Sequence, residues 1–548
     1  MISGERELLD AMEEKIDVAC RASLCALRYR RNQLSILNRL PDELLLMIFL
    51  LSEAKDAHWN MFQYIHLTWI CRRWRILALG RAEFWTNINL TYHKAEVVEE
   101  FMSRSKGAKL SVALYGELYY APKNEVKHHQ LLKALIGPQF GRVESLDLNI
   151  CSDTWEQIIP ILQQPAPFLR HCQLTCDAGY SSYFANPNNA SVTLPADLFK
   201  GTTQLRILEL CNVAPPWTSI DSMIHGLRQL KLTMSLDSPI TRPTREQLLR
   251  ILEACPNLEM LCLKISPPSL SSDSAPAVSP SITMPRLSNI RLLSSADACI
   301  LGYISTPVLK RLYLKIGAGT PTMLADWVAG CFDLTVLQMV AIGTSKIYNR
   351  GSFFFQGWHS TEVPVSVLGG YVSDDEDKDG DYAQLSLHID CFPVDLDALR
   401  LLWPALIAPT TNVSTLALQS IEAPGETYLD LLKQTVKQAD NVKDLIISHQ
   451  RDAQSLFDVL ADPSVCPELR SLTYEGAPYE RSAPGKQLVS LVKARRKGPV
   501  NIKTIHLIGC PPLAKGWAGQ LERSGVDVQA SEILVRVRSS PTVLPPVL

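Results

Sequence analysis

The residues with the clearest potential for chemistry form a short acidic series, Asp375-x-Asp377-x-Asp379-Gly380. This spacing matches the first half of an EF-hand calcium loop, in which oxygens at alternate positions ligate the ion and a glycine allows the sharp turn. The loop also needs a bidentate glutamate at its twelfth position. Here that position is Ser386, and the strand-like segment Leu387-His388-Ile389 follows it instead of a helix. The series therefore predicts a solvated acidic loop, and we expect no metal site.

Motifs typical of catalysis are missing from the sequence. It contains no GxSxG, GxxxxGK[ST], GxGxxG or HExxH, which are common hydrolase, nucleotide-binding and zinc-protease patterns. The pair His128-His129 stands in a charged stretch and is predicted to be solvated. The 14 cysteines include no CxxC pair, and their apolar surroundings favour reduced thiols in the core. We therefore expect no catalytic residue and no cofactor, and a protein that is not an enzyme.

Composition and charge narrow the class of partner. The 548 residues exceed the limit of about 250–300 residues for one hydrophobic core, which predicts several domains or a repeat array. The net charge of −2 gives no reason to expect nucleic acid or a membrane surface as the partner. The longest apolar run, Leu44–Leu51, is far shorter than the roughly 20 residues of a membrane helix, and the N-terminus lacks a secretory pattern. We expect an intracellular protein, cytoplasmic or nuclear or both.

Large apolar side chains are concentrated between Leu40 and Trp85. Pro41 suits a first helical turn, and the acidic Asp42 and Glu43 suit the positive end of a helix. Two helices are predicted to carry the apolar residues: Leu44, Leu45, Ile48 and Phe49 in the first, and Ile70, Trp74 and Leu77 in the second. So many large apolar residues are more than a short module can bury alone, which indicates a binding site for a partner protein.

The order of these motifs resembles an F-box: Leu40-Pro41, Glu43-Leu44-Leu45, Ile48-Phe49, Cys71-Arg72-Arg73-Trp74 and Trp85. The resemblance implies the substrate-recognition subunit of a cullin-RING (SCF-type) ubiquitin ligase. Residues 39–90 would bind an Skp-type adaptor and, through it, the cullin scaffold, while the rest of the chain captures an unknown target protein. An F-box protein that acts as a non-degradative scaffold is the alternative. By motif position, the adaptor-binding residues are Leu40, Pro41, Leu44, Leu45, Ile48, Phe49, Ile70, Cys71 and Trp74.

A charged helix is predicted over residues 1–38. One weak apolar stripe runs along it, with residues at alternating steps of three and four: Leu9, Met12, Ile16, Ala19, Ser23 and Ala26. The basic residues near its end, Arg28, Arg30 and Arg31, complement the negative end of the helix dipole. This helix, the closing segment Trp85–Leu90 and the region that follows together resemble the large F-box families of mushroom-forming fungi.

A short phrase recurs beyond the module: an apolar residue, two residues of any type, an apolar residue, one of any type, and an apolar residue. Its last two apolar residues are two apart and point to one face of a strand. Helix-like stretches lie between phrases, including Thr244–Cys255, Pro321–Gly330, Thr427–Ala439 and Lys486–Lys497. The phrases begin at Val143, Leu205, Leu227, Leu258, Leu287, Leu309, Leu334, Val413, Val442, Leu469 and Ile502, with weaker copies at Leu169 and Tyr382.

These phrases resemble degenerate leucine-rich repeats over roughly residues 140–530. One strand and one helix cannot bury their own apolar sides, but stacked copies share a continuous core. The predicted fold is therefore α/β: a short N-terminal helical F-box module, then an irregular leucine-rich-repeat-like solenoid of parallel strands and helices. The predicted repeat domain covers residues 91–530 and a tail covers 531–548. A Ser/Pro-rich stretch, Ser266–Ser281, and the acidic run Ser373–Asp381 are predicted as inserted loops.

Positions that flank the buried residues of the repeat strands are predicted to share the exposed face of the stack. On neighbouring strands these positions form a cationic set: Lys231, Lys264, Arg291, Arg311, Tyr313 and Lys315. An ordinary solvated face would also explain them. If the set binds the target, it favours an acidic or phosphorylated segment.

Overall fold

A computed structural model describes the chain over residues 2–52, 63–91, 93–115, 129–177, 192–199, 201–217, 221–234, 242–265, 282–316, 324–347, 350–361, 383–390, 406–407, 412–420, 425–448, 453–476, 484–510, 513 and 515–531. The acidic series with its calcium-like spacing, both predicted insertions, His128, and the tail after Ser531 lie outside these residues. The segment Leu387-His388-Ile389, which follows the twelfth position of the calcium-like series, lies in a strand, as predicted.

The described helices, in chain order, are α1 Ile2–Gln33, α2 Asp42–Ser52, α3 Gln63–Ile70, α4 Arg72–Gly80, α5 Ala95–Ser105, α6 Trp155–Leu162, α7 Asp221–Ile224, α8 Arg245–Glu253, α9 Ser295–Ala298, α10 Leu324–Cys331, α11 Gly425–Gln438, α12 Ala453–Leu460, α13 Gly485–Arg495 and α14 Lys515–Arg523.

The described strands are β1 Asn87–Asn89, β2 Leu110–Tyr115, β3 Val143–Cys151, β4 His171–Asp177, β5 Val192–Thr193, β6 Ile207–Cys211, β7 Val213–Ala214, β8 Gln229–Thr233, β9 Met260–Lys264, β10 Ile282–Thr283, β11 Asn289–Leu292, β12 Ile304–Ser305, β13 Arg311–Ile316, β14 Met339–Ile347, β15 Arg350–Trp358, β16 Leu385–Asp390, β17 Thr415–Ser420, β18 Asp444–Ser448, β19 Ser471–Glu475, β20 Thr504–Ile508 and β21 Asp527–Ser531.

The chain divides into two compact units, Met1–Gly226 and Leu227–Leu548. In the first unit, parallel strands follow the order β1–β2–β3–β4–β6, and β5 pairs with β7. The predicted boundary between residues 90 and 91 falls inside this unit and separates β1 from its partner β2. Trp85, which closes the predicted F-box, packs edge-on against Phe101 of α5 with ring centroids 5.0 Å apart. The closing segment is therefore continuous with the sheet that follows it.

The second unit contains a larger, mostly parallel sheet in the order β8–β9–β11–β13–β16–β15–β14–β17–β18–β19–β20–β21. The prediction of a mixed α/β chain with parallel strands behind an N-terminal helical segment is confirmed at this level. One strand departs from it, because β15 runs antiparallel to both β14 and β16. Only two residues separate β14 from β15, too few for the crossover that a parallel pair needs.

Each repeat phrase coincides with a described strand or leads into one. The phrase at Leu205, for example, places Leu208 and Leu210 in β6 with both side chains buried. Helices occur at the four predicted stretches as well. The helix predicted over Thr244–Cys255 is α8, and the Thr244 hydroxyl caps it by accepting a hydrogen bond from the Gln247 backbone N–H at 3.2 Å. Alternating burial along strands such as β6, β8 and β20, and one buried stripe along helices such as α8, explain why these elements were predictable.

One prediction about a polar residue differs from the structure. His129 was expected in solvent but is buried, with 6% of its surface exposed. His93 is also buried, and within the described residues neither of its ring nitrogens has a hydrogen-bond partner. Its ring lies 4.9 Å from that of Phe101. Burial lowers the pKa of His93 from its ordinary value of 6.5, because the charged imidazolium loses its hydration.

This shift predicts a pH dependence of the free energy of unfolding. Above about pH 6.5, His93 is neutral in both the folded and the unfolded chain and contributes no pH dependence. Below that value the unfolded chain binds a proton that the folded chain excludes, so stability falls until the pH passes the lowered pKa. Denaturant unfolding between about pH 7.5 and 5.5 should show a smaller loss in His93→Leu than in the parent. His359→Leu changes an exposed histidine and should lose as much stability over this pH range as the parent. If His93→Leu also loses as much stability as the parent, His93 is not the source of the pH dependence.

Candidate functional site: an exposed apolar face on a helical module

Helix α2 begins directly after a proline that cannot donate a backbone hydrogen bond. The carbonyl of Pro41 accepts the first helical bond from the N–H of Leu45 at 3.1 Å, so the proline sits where its missing N–H has no helical partner to lose. Asp42 and Glu43 occupy the first turn, where carboxylates favour the helix dipole. The rest of the helix up to its last residue is apolar, so only tertiary contacts decide which side chains face inward.

The inward side of α2 is defined by two residues one turn apart. Leu45 is fully buried and Phe49 is 3% exposed. The Phe49 ring lies 4.6 Å from the ring of Trp74 in α4 and 6.2 Å from that of Phe84, between centroids. Phe49 therefore joins three segments of the module in one aromatic core.

An arginine from α4 fastens the segment that leads into α2. Arg73 donates to the carbonyl oxygens of Asn38 and Leu40, the latter at 2.6 Å, and forms an ion pair with Asp42 at 2.5 Å. The adjacent Trp74 donates its indole N–H to the side-chain oxygen of Asn38 at 2.9 Å. These bonds fix where α2 starts relative to α4, and with it the direction of the remaining side chains of α2.

These bonds of Arg73 were not predicted from the sequence, although one feature of the sequence indicated them. Arg72 and Arg73 occupy the first turn of α4, where a cation is unfavourable beside the positive end of the helix dipole. A cation in that position points to a specific carbonyl or carboxylate partner. Its identity could not be read from the sequence, because the partners lie more than 30 residues away along the chain.

The opposite side of α2 is apolar and exposed. We call Leu44, Met47, Ile48 and Leu51 the docking face; they follow the helical spacing i, i+3, i+4, i+7 and therefore share one side of the helix. Their exposed fractions are 44%, 56%, 43% and 67%. Single exposed apolar residues are common on protein surfaces, but a contiguous set on one helix is typical of a partner site.

By exposure, the predicted adaptor-binding residues fall into three groups: exposed, half-buried and buried. Leu44 and Ile48 lie on the docking face, while Pro41 and Ile70 are exposed elsewhere in the module. Three are half-buried: Leu40, Cys71 and Trp74. Leu45 and Phe49 are buried in the module's own core, so their contact with the adaptor stays a prediction. The periodicity of a wholly apolar helix cannot distinguish these two sides.

Neither a protein-family model nor a curated protein sequence matches this chain. Among the described residues, no group of three or more histidine, cysteine, aspartate or glutamate side chains is placed to hold a metal ion. No helix in the described part of the chain is both long and apolar enough to cross a membrane.

The predicted cationic set lies on one face of four neighbouring strands in the second unit. Lys231 of β8 and Arg291 of β11 are both in register with Cys262 of the strand between them. The Arg291 guanidinium stacks over the Tyr313 ring, 4.9 Å from its centroid, so these two predicted residues are brought together. The set spans three register rows rather than one stripe: Arg311; then Lys231, Arg291 and Tyr313; then Lys264 and Lys315.

Proposed function

We propose that this chain is a non-enzymatic substrate receptor of a cullin-RING ubiquitin ligase. Its helical module would bind an Skp-type adaptor, and its repeat strands would hold the target protein. The observation that carries the proposal is the docking face: exposed apolar residues on a helix whose other side is fixed by Phe49 and whose start is fastened by Arg73. A fixed, exposed apolar helix face fits binding in a groove of a partner. The order of the F-box-like motifs supports the choice of partner.

The docking face predicts a specific loss of adaptor binding. Leu44 and Ile48 each retain somewhat under half of their exposed surface, so each has about half of the usual 1.5–3 kcal/mol of side-chain burial left for an interface. Leu44→Ala with Ile48→Ala should therefore weaken binding to the adaptor roughly ten- to hundredfold, since 1.4 kcal/mol is tenfold. Titration calorimetry or surface-based binding with purified adaptor measures the change.

The matched control uses two equally exposed apolar residues in the second unit. Val308 and Val336 are 42% and 43% exposed, and Val308→Ala with Val336→Ala should leave adaptor binding unchanged. Both double variants should keep the parent's unfolding midpoint, because they remove exposed surface. Normal adaptor binding by folded Leu44→Ala/Ile48→Ala would overturn the proposal. Adaptor binding without recruitment of the cullin and without ubiquitylation of any bound protein would favour the scaffold alternative.

The cationic set supplies the second part of the proposal, capture of an acidic or phosphorylated target segment. Arg291→Glu with Arg311→Glu should change the unfolding free energy by no more than about 1 kcal/mol, because it removes one cation–π contact and partly exposed charges. Capture of ubiquitylated targets from cells should fall strongly, and in the parent it should weaken with added salt. The charge-matched control, Lys493→Glu with Lys497→Glu, changes exposed lysines in and just after α13 and should retain capture. Unchanged capture by the first variant would mean that the cationic set is a solvated face.

A further inference from the structure

Helix α1 has a long exposed stretch. Every residue from Glu5 to Arg31 is exposed, including Leu9 at 64%, Met12 at 51% and Ile16 at 60%. An isolated helix in water is marginally stable unless an apolar side is covered. We therefore expect a partner to cover the apolar stripe of this helix and to stabilise it.

The charges of α1 are divided between its two halves. Residues 5–17 carry six carboxylates and two cations, a net charge of −4. Residues 18–33 carry four arginines and no carboxylate, a net charge of +4. A second copy laid parallel would oppose like charges over the whole length, whereas an antiparallel copy would oppose each half with its complement. Opposite charges at close range attract and also fix orientation.

The sizes of the apolar-stripe residues also differ between the two halves of the helix. The large residues Leu9, Met12 and Ile16 lie in the first half, and the small residues Ala19, Ser23 and Ala26 lie in the second. In an antiparallel pair centred between residues 17 and 18, the opposing residues are Leu9 and Ala26, Met12 and Ser23, and Ile16 and Ala19. The stripe then ends at Glu5 opposite Arg30. Large residues opposite small ones fill the space between two helices, whereas a parallel pair would oppose large with large and small with small.

We propose that α1 is a dimerisation helix that pairs antiparallel with α1 of a second copy of this chain. Charge and size select the same orientation and the same centre independently. This inference does not depend on the proposed ligase function, since it uses residues outside the docking face. If both hold, one assembly carries two docking modules and two target-binding sheets.

Sedimentation equilibrium of the full chain over a concentration series tests the proposal, with a monomer–dimer equilibrium as the expected result. Ile16→Asp should raise the dimer dissociation constant at least about a hundredfold, because it places a carboxylate in the apolar stripe of both helices. Val18→Asp is the matched control: Val18 is 59% exposed, almost the same as Ile16, but lies outside the stripe. It should leave the dimer intact. Both positions are exposed and lie in α1, so thermal melts should show that the rest of each variant stays folded.

Disulfide trapping tests the orientation, in a full chain whose α1 cysteines Cys20 and Cys25 are changed to serine. A mixture of chains carrying Leu9→Cys with chains carrying Ala26→Cys should form a disulfide-linked dimer, and chains with Leu9→Cys alone should not. A chain that stays monomeric across the series, or a dimer that Ile16→Asp leaves unchanged, would overturn the proposal. Faster linkage between two Leu9→Cys chains would show a parallel pair and would overturn it as well.

Discussion

Phe49→Ala should destabilise the helical module by about 3–5 kcal/mol, the usual cost of removing a buried aromatic side chain. Phe49 contacts the rings of both Trp74 and Phe84, so its removal leaves a cavity at the junction of three segments. Hydrogen exchange followed by mass spectrometry should show faster exchange in α2 and α4 while exchange in the large sheet stays unchanged. Adaptor binding should fall as a consequence of this opening.

The neighbouring residue supplies the control for this prediction. Leu50 is 41% exposed and follows Phe49 in the same helix, so Leu50→Ala should change the unfolding free energy by no more than about 1 kcal/mol. The comparison also distinguishes two roles for Phe49. If Phe49→Ala leaves exchange in the module unchanged and still abolishes adaptor binding, the side chain acts at the interface itself, as its motif position implied.

Arg495→Met should cost about 3–5 kcal/mol, because it removes a donor from three buried carbonyl oxygens, of which only that of Cys466 keeps another donor, the Leu469 N–H. Arg495 is the last residue of α13 and is 1% exposed. Its guanidinium donates to the carbonyls of Leu460 at 3.0 Å, Val465 at 2.8 Å and Cys466 at 2.6 Å. Leu460 ends α12, so the arginine caps the last carbonyl of that helix, which lacks a helical partner, and also binds two carbonyls of the segment that follows.

Two substitutions make the Arg495 prediction specific. Arg495→Lys keeps the charge but replaces a planar fork by a single ammonium group, so it should lose part of the stability. Arg496→Met removes the exposed neighbouring arginine and should change the unfolding free energy by no more than about 0.5 kcal/mol. Chemical denaturation of the three variants gives the order of stability. Equal stability of Arg495→Met and Arg496→Met would show that water or backbone rearrangement satisfies the three carbonyls.

Most of the correctly predicted helices and strands were recognised from the local spacing of apolar residues. The helix predicted over Thr427–Ala439 is α11, and the phrase at Leu469 leads into β19, where Leu472 and Tyr474 are buried. Such elements are predictable because burial on one side imposes a period of two on a strand and 3.6 on a helix. The strand β15, which lacks the full phrase, was missed for the same reason.

Contacts between distant residues decided what the sequence could not show. The many apolar residues of α2 were evident in the sequence. Which of them face inward, like Phe49, and which outward, like Ile48, could not be predicted, because all sides of that helix are apolar. The roles of Arg73 and Arg495 depend on carbonyl oxygens about 30 residues away in the chain. A side chain selects among such acceptors only after the backbone has brought them within hydrogen-bonding distance, so these partners are a property of the tertiary structure alone.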